Sequence, residues 1–268
     1  MPIFSIVTVC RNNLSGLKRT HASVVQQTGQ DYEWIVVDGA STDGTVEWLD
    51  SAVSLPEFAY ISETDEGLYD AMNKGSEMAQ GDYIIYMNSG DEFASDSILA
   101  DTTWHLDNWA GSSSDVVYGD SIEEDALHQK LSKRSLSHKR VWYSMFAHHQ
   151  AIFYRRDKLP APAYNTEFSV AADWALTAKL YVEGANFRRL PFAVCVFERG
   201  GLSQSYDKGI VARIRRERLQ VYDQVFQYSR LRTGLILLIK EAAEQLRERL
   251  PGLYDRLRFR RSKGARPI

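Results

Sequence analysis

Polar side chains in this chain gather where apolar runs stop. In YMNSGDEF, residues 86–93, a strand-like run gives way at once to an amide, a hydroxyl, a glycine and two acids. Such a cluster can be a polar turn closed by an Asx hydrogen bond. It can equally be a place where hard oxygen donors hold Mg²⁺ or Mn²⁺ against phosphate. Three similar clusters follow other apolar runs: TVCRNN (8–13), VDGASTDG (37–44) and SETDEG (62–67). A further acid, Asp173, stands early in the helical pattern SVAADWALTAKLYVEG (169–184). That position suits a first-turn acid held by the helix dipole.

The elements that would position these groups alternate in period. IFSIVTV (3–9), EWIVVD (33–38), FAYIS (58–62) and YIIYM (83–87) read as strands. Helical patterns separate them at 14–27, 45–54 and 69–80, the last stopped by Gly81. Alternation of this kind predicts an α/β fold with a mostly parallel sheet flanked by helices. Open sheets bind ligands at the carboxyl ends of their strands, and the four polar clusters lie at four such ends. Beyond residue 100 the pattern is less regular. Strands are expected at 112–120, 148–156 and 192–204, with a polar hairpin or excursion over 121–140. Ser169 is the expected N-cap of the helix carrying Asp173. From Asp207 onward the chain reads as basic helix, interrupted at Pro251.

Composition excludes several classes. At 268 residues, 44% hydrophobic and 25% charged, the chain suits a soluble globular protein with a large core. The two cysteines, Cys10 and Cys195, lie in strand-like runs with no CxxC partner, which suits buried thiols in a reducing compartment. No signal peptide pattern opens the chain, and the longest apolar run near the tail, Leu235–Ile239, is far too short to span a bilayer. A cytoplasmic protein is expected. Charge is uneven: residues 201–268 carry 16 Lys/Arg against 7 Asp/Glu, leaving −12 on the first 200. A basic helical tail on an acidic body suits contact with an anionic membrane surface or is simply a solvated helical face. Nothing points to nucleic acid.

Taken in order, FSIVTVCRNN, VVDGASTDGT, SETDEGLYDAMNKGSEMAQGDYIIYMNSGD, AADWAL and GGLS resemble inverting glycosyltransferase family 2, over roughly residues 3–204. It is similar in particular to members that build bacterial surface polysaccharides: capsule, lipopolysaccharide or exopolysaccharide. The resemblance implies a GT-A, Rossmann-like fold at 1–204. Residues 1–100 would bind a nucleoside diphosphate sugar, more readily a UDP-sugar, and 101–204 would form the acceptor side. Residues 205–268 would be a basic helical C-terminal extension. It implies a divalent metal, Mn²⁺ or Mg²⁺, at the family's DxD position. Here Asn88 and Gly90 stand where that motif has acids, so Asp91 is the expected metal ligand and His149 a second candidate. Asp38 is implied as the group that reads the nucleotide base. Thr8, Cys10, Arg11, Asp65, Asp70, Asn73, Asn88 and Ser89 complete the implied donor pocket. Asp173 is implied as the catalytic base that deprotonates a glycan or lipid-linked acceptor. Trp174, His148 and Gly201 would lie on the acceptor side.

Bland readings accompany several of these. Asp70 can be a helix cap, Trp174 a core residue, and the His148–His149 pair packed and hydrogen-bonded. Two other functions remain compatible with the fold. A sugar nucleotidyltransferase would normally carry a glycine-rich loop after the first strand, which TVCRNN lacks. A non-catalytic sugar-nucleotide or glycan-binding protein would fit the weakened NSGD, but leaves the Asp173 segment without a purpose.

Overall fold

The structure is a computed structural model that describes residues 2–52, 57–109, 111, 114–124, 129–198 and 208–249. Nine strands form one sheet in the order β3-β2-β1-β4-β8-β6-β9-β5, with β7 paired to β6. The first half is the parallel unit expected from the alternating pattern. It comprises β1 (Phe4–Cys10), β2 (Tyr32–Asp38), β3 (Phe58–Ser62) and β4 (Tyr83–Tyr86). These strands are short and rich in β-branched residues, and β1, β2 and β4 are buried along their whole length, as both faces are covered.

The second half is mixed rather than parallel. β8 (Ile152–Arg155) runs antiparallel to both β4 and β6 (Val116–Glu124), and β9 (Phe187–Glu198) returns parallel to β6. The polar stretch after residue 120 resolves into a hairpin of β6 with β7 (Lys130–Lys133). Two elements were not expected: the short strand β5 (Glu92–Phe93), paired with β9, and the helix α4 (Ile98–Asn108).

Helices cover both faces. α1 (Leu14–Val25), α2 (Thr45–Ala52) and α4 pack over Phe4, Ile6, Trp34, Val36 and Ile85. On the other face α3 (Leu68–Met78) and α5 (Ala172–Val182) pack over Val7, Ile35, Val37 and Ile84. α3 lies close to the sheet because residue 75 is glycine; a Cβ there would run into Val7.

The described part of the C-terminal segment, α6 (Lys208–Gln220), a π-helical turn at Val221–Val225 and α7 (Arg230–Arg249), belongs to this second core. Val221, Tyr222, Phe226 and Ile236 are buried in the same cluster as Trp174 and Leu176. Lys240 extends over the rings of Tyr143, Trp174 and Tyr222, a placement in which the aromatic faces offset the loss of water around the ammonium.

Candidate active site

The sheet register aligns three of the polar strand ends: Cys10 lies opposite Asp38, and Asp38 opposite Ser62. The fourth joins them because Ser89 N–H donates to Val9 O, extending β4 past its last ladder pair. All four clusters therefore meet at one edge.

Asp38 is fully buried there. One carboxylate oxygen accepts hydrogen bonds from Ser41 N–H (2.9 Å) and the Ser62 hydroxyl (2.6 Å). The other, Oδ1, is buried with no hydrogen-bond partner. A carboxylate oxygen left in this state is costly, and a ligand ring N–H would satisfy it. The Asp65 carboxylate and the Arg11 side chain close over Gly39 beside it, so a Cβ there would have to push Asp65 aside. Burial raises the Cys10 thiol above its ordinary value, despite a hydrogen bond with Ser89, so it is a packed lining group rather than a nucleophile.

The turn at 88–91 is held from beneath by α1. Thr20 Oγ1 accepts from Gly90 N–H (2.9 Å) and lies 2.7 Å from Asp91 O. The Asn13 side chain caps α1 through Gly16 N–H and also donates to Ser89 O (3.1 Å). Gly90 takes φ 104°, which favours glycine at that point in the turn. Asp91 is buried and accepts a hydrogen bond from Gln150 Nε2 (3.0 Å). Asn88 Nδ2 lies 3.3 Å from His149 Nε2, while Asn88 Oδ1 is buried without a partner.

His149 links this turn to the proposed base. Its Nδ1 stands 4.0 Å from Asp173 Oδ2. Asp173 Oδ1 accepts from Trp174 N–H (2.7 Å) and faces the Tyr69 hydroxyl at 3.4 Å. Tyr69 also donates to Val170 O (3.0 Å). Burial raises the Asp173 carboxyl above its ordinary 3.8, against the opposing pull of His149 and these N–H and O–H donors. Burial likewise lowers the His149 imidazole, keeping it largely neutral near pH 7, although Asp173 pulls the other way. A desolvated carboxylate with a raised pKa is a better proton acceptor than a surface one.

A divalent cation at the turn must be tested against the residues present. Among the described residues no three acidic, histidine or cysteine side chains converge as a ready-made metal cage. The unpartnered Asn88 Oδ1, next to His149 and one turn from Asp91, is nevertheless a buried oxygen that a hard cation would satisfy. The set fits a cation completed by phosphate oxygens, not one held by protein alone.

Several expected site residues take other roles. Thr8 is buried and its hydroxyl accepts from Trp34 Nε1 (2.9 Å), so its side chain belongs to the core. Asn73 uses both ends of its amide on the Tyr164 backbone (2.9 and 2.7 Å), pinning α3 to the loop 163–165. Asp70 accepts from Glu66 N–H (3.0 Å) and pairs with Lys74, the helix-start role that was its alternative. Lys74 in turn faces Glu63 at 2.7 Å. Trp174 is buried, donates to Val141 O (2.6 Å) and packs on Tyr222 and Phe226, which leaves its ring no face for a sugar. His148 sits between Ser121 and Lys133 (both 2.8 Å) against Phe197, on the β6–β7–β9 side. Ser169 does not cap α5; its N-cap is Ala171, which offers no side-chain cap. Gly201 lies outside the described residues.

The chain belongs to glycosyl transferase family 2, whose family model matches residues 5–161; it is a glycosyltransferase with a GT-A fold. It is 33% identical to a PGL/p-HBAD biosynthesis glycosyltransferase of Mycobacterium tuberculosis, over 80% of this chain and 84% of that one. It is similar in fold to the TarS fragment 1–349 of S. aureus solved with UDP-GlcNAc (TM-score 0.65, 17% identity, 88% of this chain and 70% of the other). It is also similar to the mannosyltransferase PcManGT of Pyrobaculum calidifontis, solved with GDP-Man and Mn²⁺ (TM-score 0.63, 17% identity, 85% and 65%).

Proposed function

We propose that the protein transfers one sugar, with inversion, from a nucleoside diphosphate sugar to a hydroxyl of a glycan or lipid-linked acceptor in cell-surface polysaccharide or glycolipid synthesis. The observation that carries this reading is the short line Asn88–His149–Asp173: a single imidazole separates the turn at the strand ends from a buried carboxylate. That spacing gives a donor diphosphate and an acceptor base places on either side of one reacting carbon.

In this reading Asp38 Oδ1 receives the ring N–H of the base, with Cys10, Gly39 and Asp65 around it. A uracil would supply such an N–H, and the fold's likeness to TarS with UDP-GlcNAc favours a UDP-sugar. Ser89 and Asn88 meet the ribose and phosphates. Asn88, Asp91 and His149 would hold a divalent cation, Mn²⁺ or Mg²⁺. When bound, it neutralises charge that builds on the diphosphate as the sugar departs. Asp173 takes the acceptor hydroxyl proton while that oxygen attacks the anomeric carbon from the side opposite the diphosphate. The C–O bond to phosphate breaks, the configuration inverts, and the proton stays on Asp173. Tyr69 holds Asp173 in place through its hydroxyl. An acceptor of the lipid-linked kind is supported by the mycobacterial relative's name. It is also supported by the C-terminal helices, which would rest on an anionic membrane at the cytoplasmic face.

The test is nucleotide release from a panel of UDP-, GDP- and dTDP-sugars with Mn²⁺, Mg²⁺ or EDTA. Metal-dependent release from a UDP-sugar is expected. Failure to bind any donor would overturn the reading. Donor binding with no turnover even when acceptor extracts are added would favour a binding protein instead.

A further inference from the structure

We propose that Glu217, on the C-terminal helix α6, is a positioning residue that sets the catalytic place of Asp173. The inference rests on the reading of Asp173 as the base. α5 begins one residue before Asp173, and its N-cap residue, Ala171, offers no side-chain cap. The N–H groups that lead into the helix point at one carboxylate from far along the chain. Glu217 Oε1 accepts from Ser169 N–H (2.9 Å) and the Ser169 hydroxyl (2.7 Å). Its Oε2 accepts from Val170 N–H (2.9 Å) and Ala171 N–H (2.8 Å), 47 and 46 residues away in sequence. Glu217 is 4% exposed, and Arg213 reaches the same serine hydroxyl (3.3 Å).

The arrangement ties the segment leading into α5 to a distant carboxylate of the same chain and sets negative charge at the positive end of the helix dipole. Its consequence for the site runs through Val170. The Val170 N–H is bound by Glu217, and the Val170 carbonyl accepts the Tyr69 hydroxyl that also faces Asp173. Fixing residues 169–171 therefore fixes Tyr69 and the first turn of α5 together. Asp173 Oδ1 itself accepts from Trp174 N–H in that first turn (2.7 Å), so where the loop holds the start of α5 decides how the carboxylate meets Tyr69 and His149. The groups acting on Asp173 include His149, Tyr69 and the Trp174 N–H, with Tyr154 and Tyr164 also near; Glu217 makes no hydrogen bond to it and reaches it through the 169–171 loop.

Glu217→Gln tests this with little change in volume. A glutamine keeps one acceptor oxygen and sets an NH₂ group against the other pair of N–H donors. Transfer turnover should fall, on the order of 10- to 100-fold, since displacements near 1 Å at a catalytic group cost that much. The donor Kd, measured by calorimetry on the full chain, should stay within about twofold of wild type. Ile236→Ala, in the core beneath α7, is the control for destabilisation alone. It should lower Tm while leaving turnover unchanged at a temperature where it is folded. Asp173→Asn, run alongside, tests the reading on which the inference rests. If Asp173→Asn is inactive and Glu217→Gln turns over like wild type, the positioning role is wrong and the base assignment stands. If Glu217→Gln behaves like Ile236→Ala, with a lowered Tm and wild-type turnover where it is folded, Glu217 is merely structural. If Asp173→Asn is fully active, the base assignment itself fails.

Discussion

Asp38 Oδ1 and Asn88 Oδ1 are both buried without a hydrogen-bond partner at the strand ends, and the proposed donor site uses both. Asp38→Asn leaves the strand intact but replaces one acceptor oxygen. UDP affinity should fall about 10- to 100-fold, the ~1.5–3 kcal/mol worth of a hydrogen bond to a charged group, readable by calorimetry. Asn88 stands where the family's motif has an acid, so a cation there gains little charge from the protein. Asn88→Asp should lower the Mn²⁺ concentration needed for half-maximal activity; an unchanged requirement would remove Asn88 from the cation's ligands. At this scale strand-end position and residue chemistry singled out Asp38, Asn88 and Asp173 in the sequence, and the structure buries Asp38 and sets Asn88 and Asp173 on either side of His149. The sequence did not announce where the side chains of Asn73, Thr8 and Trp174 go: their polar atoms are taken by Tyr164, Trp34 and Val141, partners distant in sequence.

At the scale of elements, the parallel half of the sheet was legible because buried strands and amphipathic helices have distinct periods. The mixed half was not. β5 has only two residues, and β9 begins at Phe187, inside a stretch that carries two arginines and reads as polar. The N-terminus of α5 is the instructive error. Ser169 has the right chemistry for an N-cap, yet its hydroxyl and N–H both turn to Glu217. Glu217 sits in the run RIRRERLQ, which reads as a solvated basic face, so its role was invisible from sequence. Burial alone would raise the Glu217 carboxyl, but the bonds from Ser169, Val170 and Ala171 overcome this and hold it below its ordinary 4.5. A carboxyl lowered on folding contributes stability above its unfolded pKa and loses it as pH falls through the folded value. The Tm difference between wild type and Glu217→Gln should therefore be widest near neutral pH and should close on acidification below about 4.5. A gap that is constant with pH would show that the charge of Glu217 does not stabilise α5.

Over the whole molecule, the basic C-terminal helices are part of the catalytic body rather than an appendage, since Tyr222 and Ile236 complete the core beneath Trp174. Their outer side is unusual. Leu231, Leu235 and Leu238 on α7 are 86%, 60% and 64% exposed, and Arg230 and Arg232 flank the first of them. No helix among the described residues is long and apolar enough to cross a membrane. Leucines beside arginines suit the surface of an anionic bilayer, where apolar insertion and charge attraction act together. The protein should co-sediment with vesicles containing phosphatidylglycerol, release at high salt, and bind less after Leu235→Asp. Equal binding to neutral vesicles, or none to either, would argue against that contact.

The central claim is that Asp173 is the base of an inverting transfer, and it is tested most directly by one comparison: donor affinity and transfer turnover of Asp173→Asn against wild type. The side chain keeps its size, so the account predicts an unchanged donor Kd and a turnover lower by about 10²- to 10⁴-fold, the usual contribution of a general base. Wild-type turnover by Asp173→Asn, with donor bound as before, would contradict it.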